Sequence, residues 1–257
     1  MKNACLFLVV FSLFAISFLS AKPKVIAHRG YWNCEGSAQN SLASLNKAHA
    51  LNGIYGSELD VYITMDGVVV VNHNPDIEGH VIETSRYNDI KKFLLSNGER
   101  LPTFEKYLKQ AKKNKERLIV ELKEHNINPA VNEKRVVEAV LKLVKKHRME
   151  NFVEYISFSL NECALLKAAD STVKVSYLPR KVLSPEQVKS KGLDGIDYSE
   201  ELFNEHPEWI KEAQGLGLTV NVYTPSAKEA LQKYIDIGVD FITTDAPELL
   251  LNMLRDK

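Results

Sequence analysis

The sequence has few cysteines, no excess of either charge and no glycine-rich phosphate-binding motif. It contains three cysteines in 257 residues, and its 33 basic residues balance its 33 acidic ones. A nucleic-acid-binding protein usually has a basic excess or patch, and neither a zinc-ligand spacing nor a G-x-G-x-x-G or P-loop motif occurs. The composition therefore argues against nucleic-acid binding, a zinc site, a classical nucleotide-binding fold and strong electrostatic attachment to anionic lipid.

Long apolar runs are also missing, except at the N-terminus. Residues 1–21 contain one cation, Lys2, then a charge-free apolar stretch that ends in small residues at Ser20 and Ala21. This order is typical of a cleaved secretory signal peptide. An uncleaved anchor is the alternative, because the stretch is nearly long enough to span a bilayer. We therefore expect an exported protein, periplasmic or extracellular, with a mature domain at 22–257 of formal charge −1 and no stable membrane insertion after cleavage.

Two cysteines, Cys34 and Cys163, lie beyond the N-terminal segment. Export would permit a disulfide between them. They are far apart in the sequence, however, and a chain with 45% hydrophobic residues can bury a core that needs no covalent support. The sequence therefore favours two free thiols.

Short apolar runs alternate with amphipathic stretches through the rest of the chain. The runs are rich in Val, Ile, Leu and Tyr, as strands buried on both faces are, and they span residues 24–27, 56–62, 118–122, 153–158, 173–177, 195–198, 218–223 and 240–243. Helical patterns separate them at residues 41–50, 104–113, 132–147, 161–169, 185–190, 207–215 and 226–236, and another follows the last strand. Eight alternating strand and helix units predict an α/β protein, a single-domain (β/α)8 TIM barrel. A doubly wound open sheet is the alternative, and it would more naturally have fewer strands.

The connection between the second and third predicted strands is the longest. The turn signal at residues 65–67 separates two apolar stretches, so residues 68–72 are predicted to form an additional strand that returns toward the barrel and ends just before His73. The segment 85–95 that follows has a helix-like pattern.

Polar residues cluster where the first three barrel strands end, and in TIM barrels the reactive groups lie at the C-terminal ends of strands. Glu58 and Asp60 are two positions apart in one strand, so both side chains face the same side. Glu121 and Lys123 repeat this spacing in the next strand. Three carboxylates in a partly dry pocket repel one another unless a cation joins them, and oxygen ligands suit a hard divalent ion. We expect Glu58, Asp60 and Glu121 to bind one Mg²⁺ or Ca²⁺.

Two histidines and two permanent cations complete this group. His28 and Arg29 end the first strand, and His73 follows the hairpin. Arg29 and Lys123 would hold an anion, and the two histidines would serve as general base and general acid. A single strand-end histidine or a lone Glu-x-Asp pair is more often a surface feature, so the prediction depends on their coincidence. The remaining histidines are expected to be structural or exposed: His49, His80, His125, His147 and His206.

These residues belong to longer motifs: "AHRG" at 27–30, "QNS" at 39–41, "ELDVYITMDGVVVVNHNP" at 58–75 and "ELK" at 121–123, with weaker matches at "SFS", "VNVYTP" and "ITTDAP". From about residue 24 to the C-terminus the chain resembles the glycerophosphodiester phosphodiesterases. The resemblance implies a phospholipase-C-like barrel that hydrolyses glycerophosphodiesters to sn-glycerol 3-phosphate and an alcohol with a metal ion. It also implies His28 and His73 as the acid/base pair, Glu58, Asp60 and Glu121 as metal ligands, and Arg29 and Lys123 as phosphate contacts.

Three positions differ from the usual pattern of that family. Gln39 stands where a glutamate is common, Asn74 where an aspartate is common, and Tyr223 where a tryptophan is common. Tyr223 would still offer an aromatic wall for glycerol in the substrate-binding site. These differences concern the identity of the substrate more than the presence of activity.

The sequence leaves two alternative functions open. One is a lysophospholipase- or phospholipase-D-like enzyme that acts on lipid phosphodiesters, with Tyr31 and Trp32 as an apolar rim. The other is a barrel that binds phosphodiesters without turnover. The sequence leaves open the head group, the native metal, the oligomeric state, which histidine is the acid, and whether water or the substrate 2-hydroxyl is the nucleophile.

Overall fold

Eight parallel strands close into a barrel, which confirms the predicted fold. The structure is a computed structural model and describes residues 22–255, so the predicted signal peptide lies outside the described residues. The strands are β1 (Lys24–Ala27), β2 (Gly56–Ile63), β3 (Val69–Val71), β4 (Asp76–Ile77), β5 (His80–Val81), β6 (Arg117–Leu122), β7 (Val153–Ser157), β8 (Val175–Tyr177), β9 (Gly195–Ser199), β10 (Thr219–Tyr223) and β11 (Phe241–Thr244). Strand β1 pairs in parallel with both β2 and β11, which closes the sheet.

Helices connect the barrel strands. They are α1 (Leu42–Ala50), α2 (Tyr87–Ile90), α3 (Phe104–Asn114), α4 (Pro129–His147), α5 (Leu160–Ala169), α6 (Pro185–Ser190), α7 (Glu200–Glu205), α8 (Trp209–Gly215), α9 (Lys228–Ile237) and α10 (Pro247–Arg255). None of the described helices is long and apolar enough to cross a membrane.

The hydrophobic core of the described chain has three parts. One, of six buried residues that include Tyr62, Val70 and Ile82, belongs to the end of β2 and the long connection that follows it. The other two lie on opposite faces of the barrel sheet, because successive strand residues point to opposite faces. The larger part lies between the strands and the helices; on β10, for example, Val220 and Val222 are fully buried in it. The smaller part fills the barrel itself with five buried residues: Ile26, Ile119, Ile156, Leu178 and Phe241. These side chains form the floor on which the polar strand ends rest.

The long connection after β2 contains the predicted hairpin. Strand β3 pairs antiparallel with the end of β2, with Val61 opposite Val71, and the chain then turns to His73. The helix-like segment 85–95 forms only the single turn α2. Its four residues bury one apolar side chain, Ile90, so little packing energy is available to extend the helix.

Two short helices replace one predicted helix between β9 and β10. Helix α7 is additional to the predicted helices, and α8 begins at Trp209 instead of residue 207. Ser199 ends β9 and also caps α7 by accepting a hydrogen bond from the backbone N–H of Leu202, so no separate linker marks the change from strand to helix.

Gly30 permits a close approach between the first loop and α1. Its φ is +74°, and a Cβ atom at this position would lie 2.4 Å from Oγ of Ser44. The sequence suggests that this glycine lets the backbone turn close to a bound phosphate. In the structure the neighbour that excludes a side chain at this position is Ser44 of α1.

Candidate active site

A pocket of about 190 Å³ opens at the C-terminal ends of the barrel strands. Six of the eight site residues expected from the sequence line its polar side, namely His28, Arg29, Glu58, His73, Glu121 and Lys123, and Tyr223 lines the apolar side. The eighth, Asp60, is 1% exposed and contacts Arg29 and Lys123. The barrel therefore brings together residues that are widely separated in the sequence.

The three carboxylates form one compact group. A ligand oxygen from each of Glu58, Asp60 and Glu121 lies within 4.8 Å of the others, and all three residues are buried. The register of the sheet brings two of these carboxylates together, because Asp60 of β2 lies opposite Glu121 of β6.

These oxygens are poorly satisfied by protein donors. Within the described chain, Oε1 of Glu58 has no hydrogen-bond partner. Oδ1 of Asp60 and Oε1 of Glu121 lie 3.3 and 2.7 Å from the ammonium of Lys123. Apart from this ion pair, neither oxygen has a hydrogen-bond partner in the described chain. Buried polar atoms are normally hydrogen-bonded. Three acceptor-rich, under-satisfied carboxylates therefore fit a bound hard divalent cation.

Burial and mutual repulsion set the protonation of this group. Burial, followed by the charges of Asp60 and Glu121, raises the pKa of Glu58 well above its ordinary value. Burial and the charge of Asp60 raise the pKa of Glu121 to about 8. Burial would also raise the pKa of Asp60, but the charges of Lys123 and Arg29 outweigh it, so that this pKa is lowered. Asp60 is therefore the most acidic carboxyl of the three.

The two cations lie against the carboxylates. Nε of Arg29 is 3.5 Å from Oδ2 of Asp60, and its Nη1 donates a 2.7 Å hydrogen bond to Oε1 of Gln39. Burial would lower the pKa of Lys123, but the charges of Glu121 and Asp60 outweigh it and raise this pKa. Lys123 therefore stays charged, as an arginine always does, and both side chains lie at the pocket wall, where an anion can reach them.

The backbone around Arg29 and Asn40 holds these groups in place. Both residues have positive φ angles, 54° and 60°, a conformation that non-glycine residues rarely adopt. The N–H of Arg29 donates to Oε2 of Glu58 at 2.8 Å. The side-chain amide of Asn40 donates to Oδ2 of Asp60 at 2.8 Å and accepts from the N–H of Asp60 at 3.2 Å. Two strained residues thus position two of the three carboxylates.

The two histidines have different neighbours. Nδ1 of His28 lies 2.8 Å from Oδ1 of Asp245, which also accepts a 2.8 Å hydrogen bond from Nε1 of Trp32. Nδ1 of His73 lies 3.0 Å from the neutral Oδ1 of Asn74. Burial is the main cause that lowers the pKa of His73. One imidazole is therefore held by a carboxylate and the other by an amide.

Several supporting residues escape prediction from the sequence. Asp245 follows a barrel strand, and Asn40 belongs to the "QNS" motif, but neither position reveals its partner. The sequence also leaves the role of Tyr31 and Trp32 open between a lid and packing. Tyr31 donates a hydrogen bond to Glu248 at 2.7 Å, and Trp32 donates one to Asp245. These two contacts hold the loop after β1 against the segment of the chain that follows β11.

Comparison with known proteins agrees with this geometry. The model of the glycerophosphoryl diester phosphodiesterase family matches residues 28–249. The chain belongs to this family. It is accordingly a phosphoric diester hydrolase. The matched range includes every residue of the pocket described above.

Individual relatives cover nearly the whole described chain. A glycerophosphodiester phosphodiesterase from Caldanaerobacter subterraneus is 27% identical over 250 residues, which are 91% of this chain and 98% of the relative. A crystal structure of a glycerophosphodiester phosphodiesterase from Parabacteroides distasonis is 44% identical, with a TM-score of 0.88 over 91% of this chain and 98% of that chain. A phosphodiesterase from Oleispira antarctica, solved in complex with the product sn-glycerol-3-phosphate, is 22% identical, with a TM-score of 0.79 over 91% of this chain and 97% of that chain. At this identity the likeness concerns the fold alone.

Proposed function

We propose that this member of the glycerophosphodiester phosphodiesterase family hydrolyses glycerophosphodiesters to sn-glycerol 3-phosphate and an alcohol, with a divalent cation and two histidines. The observation behind the proposal is the pocket in which three buried carboxylates with under-satisfied oxygens lie beside two histidines and two cations. The names of the relatives from Caldanaerobacter and Parabacteroides, and the product bound to the Oleispira enzyme, support the same substrate class.

Glu58, Asp60 and Glu121 would hold the cation, Mg²⁺ or Ca²⁺. When bound, such an ion neutralises charge that develops on the phosphate oxygens. The chain itself contributes the fixed geometry of the ligands, because Asn40 and the backbone of Arg29 orient two of them.

Arg29 and Lys123 would bind the phosphodiester anion. Both are charged, and both line the pocket. The planar guanidinium can donate two parallel hydrogen bonds to phosphate oxygens, and the ammonium adds a compact point charge. Tyr223 and Phe158 give the same pocket an apolar wall for the glycerol carbons.

His28 would act as the general base. In the tautomer with the proton on Nδ1, His28 donates a hydrogen bond to Asp245 and presents Nε2 to take a proton, and the carboxylate would stabilise the imidazolium that then forms. The proton comes from the nucleophile, either water or the 2-hydroxyl of the glycerol moiety. In the second case a cyclic phosphate forms and is then hydrolysed.

His73 would act as the general acid. Its ring lines the pocket, and its Nδ1 contacts the neutral amide of Asn74. Burial lowers the pKa of His73 although the charge of Asp60 opposes this, and a protonated imidazole with a lowered pKa gives up its proton readily. The proton passes to the bridging oxygen as the bond from phosphorus to that oxygen breaks, and the alcohol leaves neutral.

The test is a direct assay. The purified chain is incubated with glycerophosphodiesters of several head groups and EDTA, Mg²⁺ or Ca²⁺, and sn-glycerol 3-phosphate is measured. We expect turnover that EDTA abolishes. His28→Ala and His73→Ala should each reduce the rate by at least about two orders of magnitude, the scale of acid/base catalysis. His206→Ala is the matched control, since His206 stacks on Trp209 outside the pocket. Absence of turnover with every diester and metal would contradict the proposal.

A lipid substrate is less well supported by the site. Tyr31 and Trp32, the aromatic residues expected to form an apolar rim, are hydrogen-bonded to Glu248 and Asp245. Turnover restricted to long-chain lipid phosphodiesters would favour that alternative.

We also propose, from residues 1–21 alone, that the protein is exported. The mass of the secreted chain would show whether and where cleavage occurs.

A further inference from the structure

Two further pockets adjoin the central one at the same end of the barrel, and they differ in charge. The first, of about 250 Å³, is lined on its polar side by Gln39, Asn40, Asn72, His73, Asn74 and Ser96, with Trp32 as an aromatic wall. We call it the amide pocket. Its lining contains no aspartate, glutamate, lysine or arginine among the described residues.

The second pocket, of about 340 Å³, is lined by charged and aromatic residues: Tyr62, Lys123, Glu124, Phe158 and Arg180, with Pro75 and Asn126. We call it the charged pocket. Arg180 and Glu124 form an ion pair there. Either pocket is large enough for a small alcohol, so the position of the leaving group decides which one receives it.

His73 distinguishes the two pockets. Its side chain lines both the central pocket and the amide pocket, whereas the charged pocket shares Lys123 and Phe158 with the central one. A general acid must lie within hydrogen-bond reach of the oxygen that it protonates. If His73 protonates the leaving alcohol, as in the function proposed above on which this inference rests, the alcohol extends from His73 into the amide pocket.

Side-chain hydrogen bonds fix the loop at residues 72–76, which lines part of the amide pocket. The side-chain amide of Asn72 donates to the backbone carbonyls of Asn74 and Asp76, at 2.8 and 3.1 Å, and the amide of Asn74 contacts His73. Asn40 is engaged by Asp60, but within the described chain the side-chain N–H groups of Gln39 and Asn74 and the side-chain oxygen of Asn72 remain to bond the hydroxyl groups of a polyol, which both donate and accept. The indole ring of Trp32 offers a flat face for the carbon skeleton.

We propose that the amide pocket is the subsite for the leaving alcohol and that it selects uncharged, polyhydroxylated alcohols, such as glycerol or inositol, over the cationic alcohols choline and ethanolamine. A cationic head group would lose part of its hydration on entry and find no carboxylate in the described lining to compensate. The face of Trp32 can attract a quaternary ammonium. The carboxylate that accepts a hydrogen bond from that ring, Asp245, is already engaged by His28.

The experiment compares two single charges, one in each pocket. Ser96→Asp adds a carboxylate to the amide pocket, and Asn126→Asp adds one to the charged pocket. Neither residue is buried and neither belongs to the proposed catalytic group. The values of kcat/KM are measured with saturating metal for the glycerophosphodiesters of inositol, glycerol, ethanolamine and choline.

We expect the parent enzyme to prefer the inositol and glycerol diesters. Ser96→Asp should raise the ratio of choline to inositol turnover by about fivefold, the scale of one exposed charge pair. Asn126→Asp should leave that ratio unchanged. A shift with Asn126→Asp alone would overturn the assignment in favour of the charged pocket, and a parent preference for choline would overturn the proposed selectivity. Absence of turnover with all four diesters would instead contradict the function itself.

Discussion

Asp245 holds the ring of His28 across the seam where the barrel closes. Oδ1 of Asp245 lies 2.8 Å from Nδ1 of His28, although the two residues are 217 positions apart in the sequence. Asp245 follows β11 and His28 follows β1, and these strands are hydrogen-bonded neighbours. Burial would raise the pKa of Asp245, but the hydrogen bond and the charge of His28 outweigh it and lower this pKa. The carboxylate is therefore ionised beside the imidazole.

Replacement of this carboxylate should impair turnover more than binding. Asp245→Asn keeps the size of the side chain but cannot stabilise the imidazolium, so we expect kcat to fall by about two orders of magnitude while KM changes little. Asp245→Glu should restore part of the rate. Trp32→Phe is the control, since it removes the other donor to the same oxygen and should cost less than about tenfold. A parent-like kcat in Asp245→Asn would show that the contact is structural only.

Metal binding should release protons and strengthen as pH rises. Glu58 and Glu121 have raised pKa values, and that of Glu121 is about 8, against an ordinary carboxyl value of 4.5. Below about pH 4.5, the protonated form of a carboxyl with a raised pKa contributes its full stability to the metal-free protein. This contribution is lost as the pH rises through about 8, the pKa of Glu121 in the folded protein. A cation needs the ionised form.

The increase in Tm on addition of Mg²⁺ or Ca²⁺ should therefore grow between about pH 6 and pH 8. Glu121→Gln should abolish this increase, as should Asp60→Asn. Thermal unfolding with each metal and with EDTA measures the effect without any substrate. Glu154→Gln is the control, because Glu154 lies on β7 outside the carboxylate group. A metal-induced increase that survives in Glu121→Gln would exclude Glu121 as a ligand.

Gly30 should be required for both stability and activity. The Cβ atom of an alanine at this position would lie 2.4 Å from Oγ of Ser44 and 2.7 Å from the carbonyl carbon of the same residue, with φ at +74°. Gly36 has a similar φ of +71°, but a Cβ atom there would have no neighbour within 4 Å among the described residues. Both Gly→Ala changes should incur about 1–2 kcal/mol of left-handed strain. Gly30→Ala should add about 1–3 kcal/mol of overpacking.

Urea unfolding measures the loss of stability in each variant, and kcat/KM measures the loss of activity. Gly30→Ala should also reduce activity, because the carbonyl of Arg29 accepts a hydrogen bond from Oγ of Ser44 and would shift with it. Gly36→Ala should leave activity close to that of the parent. Equal destabilisation in the two variants would contradict the close contact with α1.

The barrel could be predicted from the sequence because its strands are buried on both faces, which gives continuous apolar runs. The pairs Glu58 with Asp60 and Glu121 with Lys123 could also be placed, since residues two apart on a strand share a face. Their convergence follows from that rule together with the shared C-terminal edge of a parallel barrel.

The contacts between distant strands could not be predicted in the same way. The partner of His28 depends on the closure of β1 against β11, which no local pattern encodes. The ion pairs of Lys123 with Asp60 and Glu121 depend on the register that sets Asp60 opposite Glu121. Helix α7 is not evident from the sequence, because its cap, Ser199, is also the last residue of a strand.

Asn74 should set the alkaline limit of activity through His73. Burial lowers the pKa of His73, and the neutral amide of Asn74, 3.0 Å from Nδ1, opposes this only weakly. Asn74→Asp would place a carboxylate at the same atom and favour the charged imidazolium. The pKa of His73 should therefore rise. If His73 is the general acid, it must be protonated to act, so the alkaline limb of kcat/KM should move upward by about one pH unit or more. Ser96→Asp adds an equal charge to the same pocket without the contact to Nδ1 and should move the limb much less. An acid limb that shifts while the alkaline limb stays in place would assign His73 as the base instead.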